Sequence, residues 1–492
     1  MFESAELGHE ISKQKYAKEV PKLRTELLDA ELDLVEKKQF PVIVVIGGVD
    51  GAGKGETVNL LNEWMDPRYV QTLAVGDPNE EERERPPMWR FWRTLPPKGT
   101  VGIYFGSWYS DPIVGQVYGT TKRADFDRSI EDIVRFERML VNEGTLIVKF
   151  WFHLGKKKQR QRLEHLQRSK ETRWRVTAAD WKNHRHYDAF RSVSEKVLRQ
   201  TSSEAAPWVV VEGSDTRYRS LTVGKVLLDS IRARLDAPKP KKPGTRKSPI
   251  LPSIDKLHIL RTLDLTQKIK KADYKEELTH LQGKLNTLSR HPKFAKISVV
   301  TVFEGNDAAG KGGTIRRITG ALDARTYRII PIAAPTEDER AQPYLWRFWR
   351  QVPRNGRWAI FDRSWYGRVL VERVEGFAEP LDWMRAYPEI NDFEEQLVRD
   401  RTVIVKFWLT ISNEEQLRRF KLRENTGFKR FKITPEDWRN RKKWNDYELA
   451  ASDMIDRTST EFAPWTLIEA NDKYFARIKT LRTLANAIER AL

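Results

Sequence analysis

The two halves of the chain repeat one another, and this duplication constrains the fold more than any other feature of the sequence. The segment WRFW at residues 89–92 returns at residues 346–349, and SWY at residues 107–109 returns at residues 364–366. Both pairs lie 257 positions apart. A constant spacing between such distinctive anchors is typical of a tandem repeat. The sequence therefore predicts two domains of the same fold.

A segment rich in proline and lysine separates the two copies. Residues 237–252 read APKPKKPGTRKSPILP, which is typical of an extended, solvated linker. We predict a first domain over residues 1–236 and a second domain over residues 253–492. Each is long enough to enclose one hydrophobic core.

Apolar segments alternate with helical segments in the second copy. The helical pattern is clearest over residues 312–322 and 390–400. Near-continuous apolar strands separated by helices indicate a parallel sheet that is covered on both faces, which is an α/β fold. The predicted strands are residues 297–305, 327–334, 358–362, 402–411 and 466–470.

A glycine-rich loop follows the first of these strands. Residues 305–313 read GNDAAGKGG and fit the spacing G-x-x-x-x-G-K of a phosphate-binding loop, or P-loop. In such a loop the backbone N–H groups converge on phosphate oxygens, and the lysine adds a mobile positive charge. The predicted loop residues are Gly305, Asn306, Gly310, Gly312 and Gly313, with Lys311 as the catalytic lysine.

The loop also contains a carboxylate, Asp307, in a cradle that is built for anions. Asp307 would repel a bare phosphate, and Gly312 replaces the serine or threonine that usually binds Mg²⁺. We therefore predict that Asp307 replaces the missing hydroxyl as a Mg²⁺ ligand, with orientation of the attacking phosphate as the alternative. A second carboxylate, Asp362, ends the apolar strand 358–362, so it should lie at the carboxyl edge of the sheet as the second ligand.

Basic residues accompany both motifs. Arg363 follows Asp362 and is a candidate catalytic residue that binds the transferred phosphate. Arg347 and Arg368 are further candidate phosphate ligands, with a surface salt bridge as the alternative for Arg368. Residues 418–443 are strongly basic and predict a lid that closes on phosphates, with a solvated helix face as the alternative. The substrate-binding residues predicted in this lid are Arg419, Arg423, Lys429 and Arg430.

The composition limits the partners and the location. A formal net charge of +19 over 492 residues indicates either a polyanionic partner or a generally solvated surface. The absence of cysteine excludes disulfides and thiolate metal sites. Because the chain shows no secretory signal, no membrane-length apolar run and no nucleic-acid-binding motif, we expect a cytoplasmic protein without a membrane or nucleic-acid partner.

Four motifs resemble those of the type-2 polyphosphate kinases: FEGNDAAGKGG at 303–313, APTEDERAQPYLWRFWR at 334–350, FDRSWYGRVLVERVEG at 361–376 and DRTSTEFAPW at 456–465. The tandem arrangement further resembles the two-domain polyphosphate:AMP phosphotransferases. The resemblance implies thymidylate-kinase-like P-loop domains with a basic lid, Mg²⁺ as cofactor, and phosphoryl transfer from inorganic polyphosphate to AMP, giving ADP. The partners it implies are polyphosphate and AMP or ADP, and a homo-oligomer is compatible with it.

Three alternatives remain open from the residues alone. The acceptor is a nucleoside diphosphate in one of them, and the protein is an ATP-dependent nucleoside monophosphate kinase in the second. The third is a basic module that binds polyanions without turnover, which leaves the paired carboxylates Asp307 and Asp362 unexplained.

The two copies are not equivalent at the predicted site. The first copy keeps Asp50, Gly53 and Lys54 of the loop. However, it has Phe105 and Gly106 at the positions of Asp362 and Arg363. It also has Asp111, Asn59 and Gln116 at the positions of Arg368, Arg316 and Arg373. We therefore predict that the second copy catalyses and that the first is structural, regulatory or polymer-binding.

Overall fold

A computed structural model describes residues 1–237, 259–427, 431 and 433–492. Beyond Ala237, the predicted linker lies outside the described residues. Four residues of the predicted lid also lie outside them, including the predicted substrate-binding residues Lys429 and Arg430.

Each copy folds as the alternation of strands and helices predicts. In the first copy the strands are β1 (Val42–Gly48), β2 (Val70–Ala74), β3 (Val101–Phe105), β4 (Leu146–His153) and β5 (Trp208–Glu212). Its helices are α1 (Lys13–Lys37), α2 (Lys54–Trp64), α3 (Glu80–Arg83), α4 (Trp89–Arg93), α5 (Ser110–Val117), α6 (Arg123–Asn142), α7 (Lys156–Arg168), α8 (Ala178–Arg185), α9 (Tyr187–Thr201) and α10 (Thr216–Asp236).

The second copy repeats this order of elements. Its strands are β6 (Ser298–Gly305), β7 (Tyr327–Pro331), β8 (Trp358–Asp362), β9 (Thr402–Thr410) and β10 (Trp465–Glu469). Its helices are α11 (Lys271–Ser289), α12 (Lys311–Thr319), α13 (Glu337–Arg340), α14 (Trp346–Trp349), α15 (Val371–Val374), α16 (Pro380–Arg399), α17 (Asn413–Glu424), α18 (Pro435–Lys442), α19 (Trp444–Thr458) and α20 (Lys473–Ala491).

Each copy contains one parallel sheet, and the strand order is the same in both. The order is β2-β3-β1-β4-β5 in the first copy and β7-β8-β6-β9-β10 in the second. Strand β6 pairs with β8 in a register that sets Phe303 opposite Asp362. The carboxyl ends of β6 and β8 therefore lie side by side, which brings the P-loop and Asp362 to the same edge of the sheet.

The predicted elements are confirmed with small shifts at their ends, except for one helix. The sequence predicted a helix over residues 390–400, whereas α16 begins at Pro380. Pro388 lies inside this helix, although proline usually ends a helix. It is tolerated on the exposed face, while Ala386, Tyr387 and Ile390 are buried on the other.

The contacts divide the described residues into two compact units that do not coincide with the repeats. One unit contains residues 1–77, 90–237 and 335–346, and the other contains residues 78–89, 259–334 and 347–492. A short segment of each repeat thus belongs to the unit formed mainly by the other repeat. The predicted boundaries describe the sequence repeats, and the units differ from them at these two segments. None of the described helices combines the length and the apolar character needed to cross a bilayer.

A buried ion pair anchors the middle of the second sheet. The Nζ atom of Lys406 in β9 lies 2.7 Å from Glu394 Oε2 of α16, and both side chains are completely buried. Lys406 also donates to Tyr366 Oη, and Tyr366 in turn donates to Glu394. Lys149, Glu137 and Tyr109 repeat the network in the first copy. Because it is present in both copies, its role is in the fold rather than in the chemistry.

Glu394→Gln is expected to lower the free energy of unfolding by about 3–5 kcal/mol, because it leaves the Lys406 ammonium buried without its countercharge. Chemical denaturation of the full chain measures the loss. The matched control is Glu395→Gln, a neighbour whose carboxylate is 41% exposed and lies 3.9 Å from Arg399, so its effect should stay within about 0.5 kcal/mol. Equal effects of the two substitutions would show that the buried pair contributes nothing.

Candidate active site

The P-loop of the second copy connects β6 to α12 through two glycines that have positive φ angles. The φ angle is 132° at Gly305 and 114° at Gly310. A Cβ atom at Gly305 would lie 2.3 Å from the Leu409 carbonyl oxygen, so only glycine allows the loop to leave the strand here. The Asn306 side chain accepts a hydrogen bond from the Ile411 N–H, which attaches the loop to the end of β9.

Lys311 begins α12, and its side chain folds back over the loop. Its Nζ atom donates to the carbonyl oxygens of Gly305 at 2.8 Å and Asn306 at 3.3 Å. These neutral acceptors hold the ammonium group without neutralising it. The lysine can therefore exchange them for the oxygens of a phosphate.

Asp307 is held in place from two sides. Its Oδ2 atom accepts a hydrogen bond from Asn440 of α18 at 2.9 Å, and its backbone carbonyl accepts one from Gln416 of α17 at 3.2 Å. Sequence reasoning did not single out Asn440 or Gln416. The signal was available, since Asn183 and Gln159 stand 257 positions earlier and make the same contacts to Asp50.

Asp362 and Arg363 stand at the end of β8, opposite the loop. A Cβ atom at Gly312 would lie 4.0 Å from Asp362 Oδ2, so the carboxylate faces the start of α12. The Nη2 atom of Arg363 lies 3.4 Å from Asp307 Oδ1. The structure thus brings the four predicted catalytic residues, Asp307, Lys311, Asp362 and Arg363, to one edge of the sheet.

Arg363 adopts a left-handed backbone conformation, with a φ angle of 65°. Such a conformation costs about 1–2 kcal/mol for a residue that has a Cβ atom, and it is often found at functional sites. Burial opposes the charge of Arg363, but the carboxylates of Asp307, Glu304 and Asp362 outweigh it and raise the pKa of the guanidinium. The fold therefore keeps a permanent positive charge at a strained position.

Glu304, the last side chain of β6 before the loop, was missed by sequence reasoning. It is 6% exposed and accepts a hydrogen bond from Ser364 Oγ at 2.8 Å. Burial raises its pKa, and nearby Asp362 acts in the same direction, whereas Lys311 and Arg363 lower it. The first copy has Gly47 at this position, and that difference between the copies was the available signal.

The position of Arg419 differs from the predicted one. It was expected to bind substrate in the lid, but its side chain is 3% exposed and its guanidinium lies beneath the loop. All five of its N–H groups already donate, one to Glu415 and the others to the carbonyl oxygens of Ala308, Ala309, Ala470 and Asn471. Arg419 therefore braces the P-loop and has no donor left for a phosphate.

The other predicted arginines occupy different surroundings. Arg347 donates to the Ala333 carbonyl oxygen at 3.1 Å, and Arg368 pairs with Glu372 at 2.8 Å. Arg423 lies in the last turn of α17, within the described part of the predicted lid. Contacts with substrate remain a prediction for these three residues.

An additional group of cations surrounds the start of α12 and α20. The Nη2 atom of Arg477 lies 3.4 Å from the position of a Cβ atom at Gly313. Burial and the nearby charge of Arg419 lower the pKa of Lys473 to about 8. Burial is the larger cause of this depressed pKa, and the charge of Arg419 adds to it.

The first copy keeps the loop but not the catalytic arrangement. Lys54 donates to the Gly48 carbonyl oxygen at 2.6 Å and to Asp50 at 3.3 Å, so its charge is partly neutralised. Phe105 ends β3, and Gly106 follows with a φ angle of 78°. A Cβ atom at Gly106 would lie 2.4 Å from the Val75 carbonyl oxygen.

Arg363→Gly is expected to lower kcat at least about 100-fold, because it removes a fixed positive charge from the site. The free energy of unfolding should change by less than about 2 kcal/mol, since relief of the left-handed backbone offsets the loss of a countercharge to three carboxylates. Steady-state kinetics and denaturation measure the two quantities.

The matched control for this substitution is Arg401→Gly. Arg401 is exposed, precedes β9 and has a φ angle of 64°. Its replacement should relieve the same backbone strain without changing kcat. An equal fall of kcat in the two variants would contradict a specific role of Arg363.

A family model described as Polyphosphate kinase 2 (PPK2) matches this chain over residues 10–239 and 268–492. A polyphosphate:AMP phosphotransferase of Pseudomonas aeruginosa is 56% identical over 491 residues, which cover 100% of this chain and 99% of that protein. A second one, from Acinetobacter johnsonii, is 38% identical and is matched over 95% of this chain and 96% of its own length.

Other relatives match only part of the chain, and one solved structure matches all of it. A GDP-polyphosphate phosphotransferase of Mycobacterium tuberculosis is 38% identical over 225 residues, which are 46% of this chain and 76% of that protein. A crystal structure of a polyphosphate kinase 2 from Pseudomonas aeruginosa superposes with a TM-score of 0.91 at 55% identity, covering 100% of this chain and 99% of that chain.

Proposed function

This chain belongs to the polyphosphate kinase 2 family, and we propose that it is a polyphosphate:AMP phosphotransferase. It transfers the terminal phosphoryl group of inorganic polyphosphate to AMP and releases ADP. The family membership supports polyphosphate as the donor, and the tandem architecture supports AMP as the acceptor.

The observation that carries the acceptor is the coverage of the relatives. The relatives named polyphosphate:AMP phosphotransferases match 95–100% of this chain, including both copies. The relatives named for GDP, ADP or other nucleoside diphosphates match only 44–54% of it. The duplication therefore accompanies the AMP activity among these relatives, and we assign the same acceptor to this chain.

We assign the chemistry to the second copy. Only there do a loop carboxylate, Asp307, and a strand-end carboxylate, Asp362, lie at one edge of the sheet together with Arg363. Phe105 and Gly106 replace Asp362 and Arg363 in the first copy and offer neither a negative nor a positive charge.

The geometry supports a direct, in-line transfer. A phosphate oxygen of AMP attacks the terminal phosphorus of polyphosphate, and the bond from that phosphorus to its bridging oxygen breaks. The bridging oxygen keeps the electron pair on the shortened chain, so no covalent enzyme intermediate is needed. Lys311 leaves its carbonyl acceptors to bind the transferring group, and Arg363 stabilises the charge that spreads over its oxygens.

The residues present fit a Mg²⁺ ion. Asp307 and Asp362 offer hard carboxylate oxygens at the mouth of the P-loop, where Asp362 Oδ2 lies 4.0 Å from the position of a Cβ atom at Gly312. Mg²⁺ commonly uses one or two carboxylates together with substrate phosphates. When bound, Mg²⁺ neutralises charge on the reacting phosphates.

ADP formation from AMP, long-chain polyphosphate and Mg²⁺ tests the proposal, with ATP as the alternative donor and ADP as the alternative acceptor. We expect ADP with polyphosphate and AMP, and no product when EDTA is in excess over Mg²⁺. ADP that forms only with ATP would identify a nucleoside monophosphate kinase instead. ATP that forms from ADP faster than ADP forms from AMP would identify a diphosphate-specific enzyme. Binding of polyphosphate without any product would identify the protein as a module that binds polyanions without turnover.

A further inference from the structure

The first copy contains a cavity of about 510 Å³ at the carboxyl edge of its sheet, where the second copy carries its catalytic residues. Its volume lies within the range of small-molecule sites. The walls are mainly aromatic and apolar. The rings that line it are Phe105, Tyr109, Trp151, Tyr187, Phe190 and Trp208.

The cavity corresponds to positions where charged side chains of the second copy have been lost. Gly47 replaces the buried Glu304, and Gly106 replaces Arg363. Both glycines line the cavity. Glycine at these two positions leaves space and makes the walls less polar than the glutamate and arginine of the second copy would.

The charges that line the cavity cancel. Its charged side chains are Asp50 and Lys54, which form an ion pair at 3.3 Å. No arginine is among the lining residues. A polyphosphate chain would therefore find no cation among the lining residues other than Lys54, which is already paired with Asp50, to replace its lost hydration.

At the start of α2, where a phosphate would bind, a side-chain carboxylate is already present. Glu56 stands in its first turn, where the second copy has Gly313, and its carboxylate pairs with Arg219 at 2.6 Å, Arg162 at 3.0 Å and Arg175 at 3.4 Å. A side-chain carboxylate thus takes the guanidinium groups that could otherwise bind a phosphate. The start of α2 therefore lacks the free N-terminal turn that Gly313 gives α12 in the second copy.

A buried hydroxyl that lines the cavity lacks a hydrogen-bond partner among the described residues. Ser194 of α9 is 1% exposed and lines the cavity, and its hydroxyl has no hydrogen-bond partner among the described residues. The second copy has Ala451 at this position. An unsatisfied buried hydroxyl is unfavourable unless a bound molecule completes its hydrogen bond.

We propose that the cavity of the first copy is a binding site for an uncharged aromatic molecule of nucleoside size. The planar ring packs between the aromatic walls, and a polar edge of the molecule hydrogen-bonds to the Ser194 hydroxyl. The site binds its ligand without turnover and does not accept polyphosphate. It thus goes beyond the phosphotransferase activity proposed for the second copy.

Equilibrium dialysis of the full chain against adenosine tests the site, because adenosine has a purine ring and no phosphate. We expect saturable binding that long-chain polyphosphate does not displace. Val114→Trp fills the rim of the cavity and should weaken adenosine binding at least tenfold. Ser194→Ala removes the hydroxyl and should weaken it about fivefold.

The matched control is Val134→Trp, a substitution at a valine of similar exposure in α6 that does not line the cavity, and it should change binding less than twofold. The Val114→Trp variant should keep the thermal stability and the ADP-forming rate of the unmodified chain, which shows that it folds. Lack of saturable binding at millimolar adenosine, displacement by polyphosphate, or equal losses in both tryptophan variants would overturn the proposal. None of these results depends on ADP formation, so failure of the cavity and failure of the phosphotransferase can be distinguished.

Discussion

Asp362→Asn is expected to lower kcat for ADP formation by about 10³-fold or more while leaving the fold intact. The substitution keeps the size of the side chain and removes its charge. Asp362 is the carboxylate that the register of β6 and β8 sets beside the P-loop, and it faces the start of α12. Loss of one preorganised charge from a phosphoryl-transfer site typically costs at least two to three orders of magnitude in rate.

Steady-state rates with AMP and polyphosphate, measured over a range of Mg²⁺ concentrations, give the size of this effect. Because we propose that Asp362 binds Mg²⁺, higher concentrations of the ion should restore part of the lost rate. The control is Phe105→Leu at the equivalent position of the first copy, which should change kcat less than twofold. A variant Asp362→Asn with more than a tenth of the original rate would exclude a metal-binding role for this carboxylate.

Lys311→Ala and Lys54→Ala are expected to differ by at least two orders of magnitude in their effect on kcat/KM. Lys311 is held by two neutral carbonyl oxygens and is free to bind a transferring phosphoryl group. Lys54 is paired with Asp50 and lies in the copy that lacks the second carboxylate. Removal of Lys311 should therefore cost about 10²–10³-fold, and removal of Lys54 less than threefold.

The two lysine variants control for each other, because both remove the lysine that begins the P-loop helix. Thermal unfolding of both variants should confirm that the copies remain folded. If kcat/KM falls equally in the two variants, the division of roles between the copies is wrong, and both loops take part in the reaction.

Most of the fold and the core of the site could be predicted from the sequence. The duplication predicted two domains of the same fold, and the apolar strands predicted a parallel sheet. The position of Asp362 at the end of a predicted strand placed it at the edge that carries the P-loop, since the carboxyl ends of parallel strands meet there. These features depend on local pattern and on topology, which a single sequence contains.

The remaining features depend on packing between distant segments. The basic pattern predicted Arg419 as a lid residue, yet its side chain turns inward and satisfies the loop carbonyls of Ala308 and Ala309. Asn440 reaches Asp307 from 133 positions away. The assignment of residues 78–89 and 335–346 to the units formed mainly by the other repeats has no local signal either. Such contacts are decided by three-dimensional packing rather than by periodicity.

The left-handed turn after the third strand distinguishes the two copies sterically as well as chemically. Arg363 and Gly106 have nearly the same φ angle, 65° and 78°. At Gly106, however, a Cβ atom would lie 2.4 Å from the Val75 carbonyl oxygen. A single mutation that placed arginine at position 106 would meet this obstacle before it could gain any function. Engineering the charges of the second copy into the first is therefore a two-step problem, in which the backbone near Val75 has to shift before a side chain at position 106 can be accommodated.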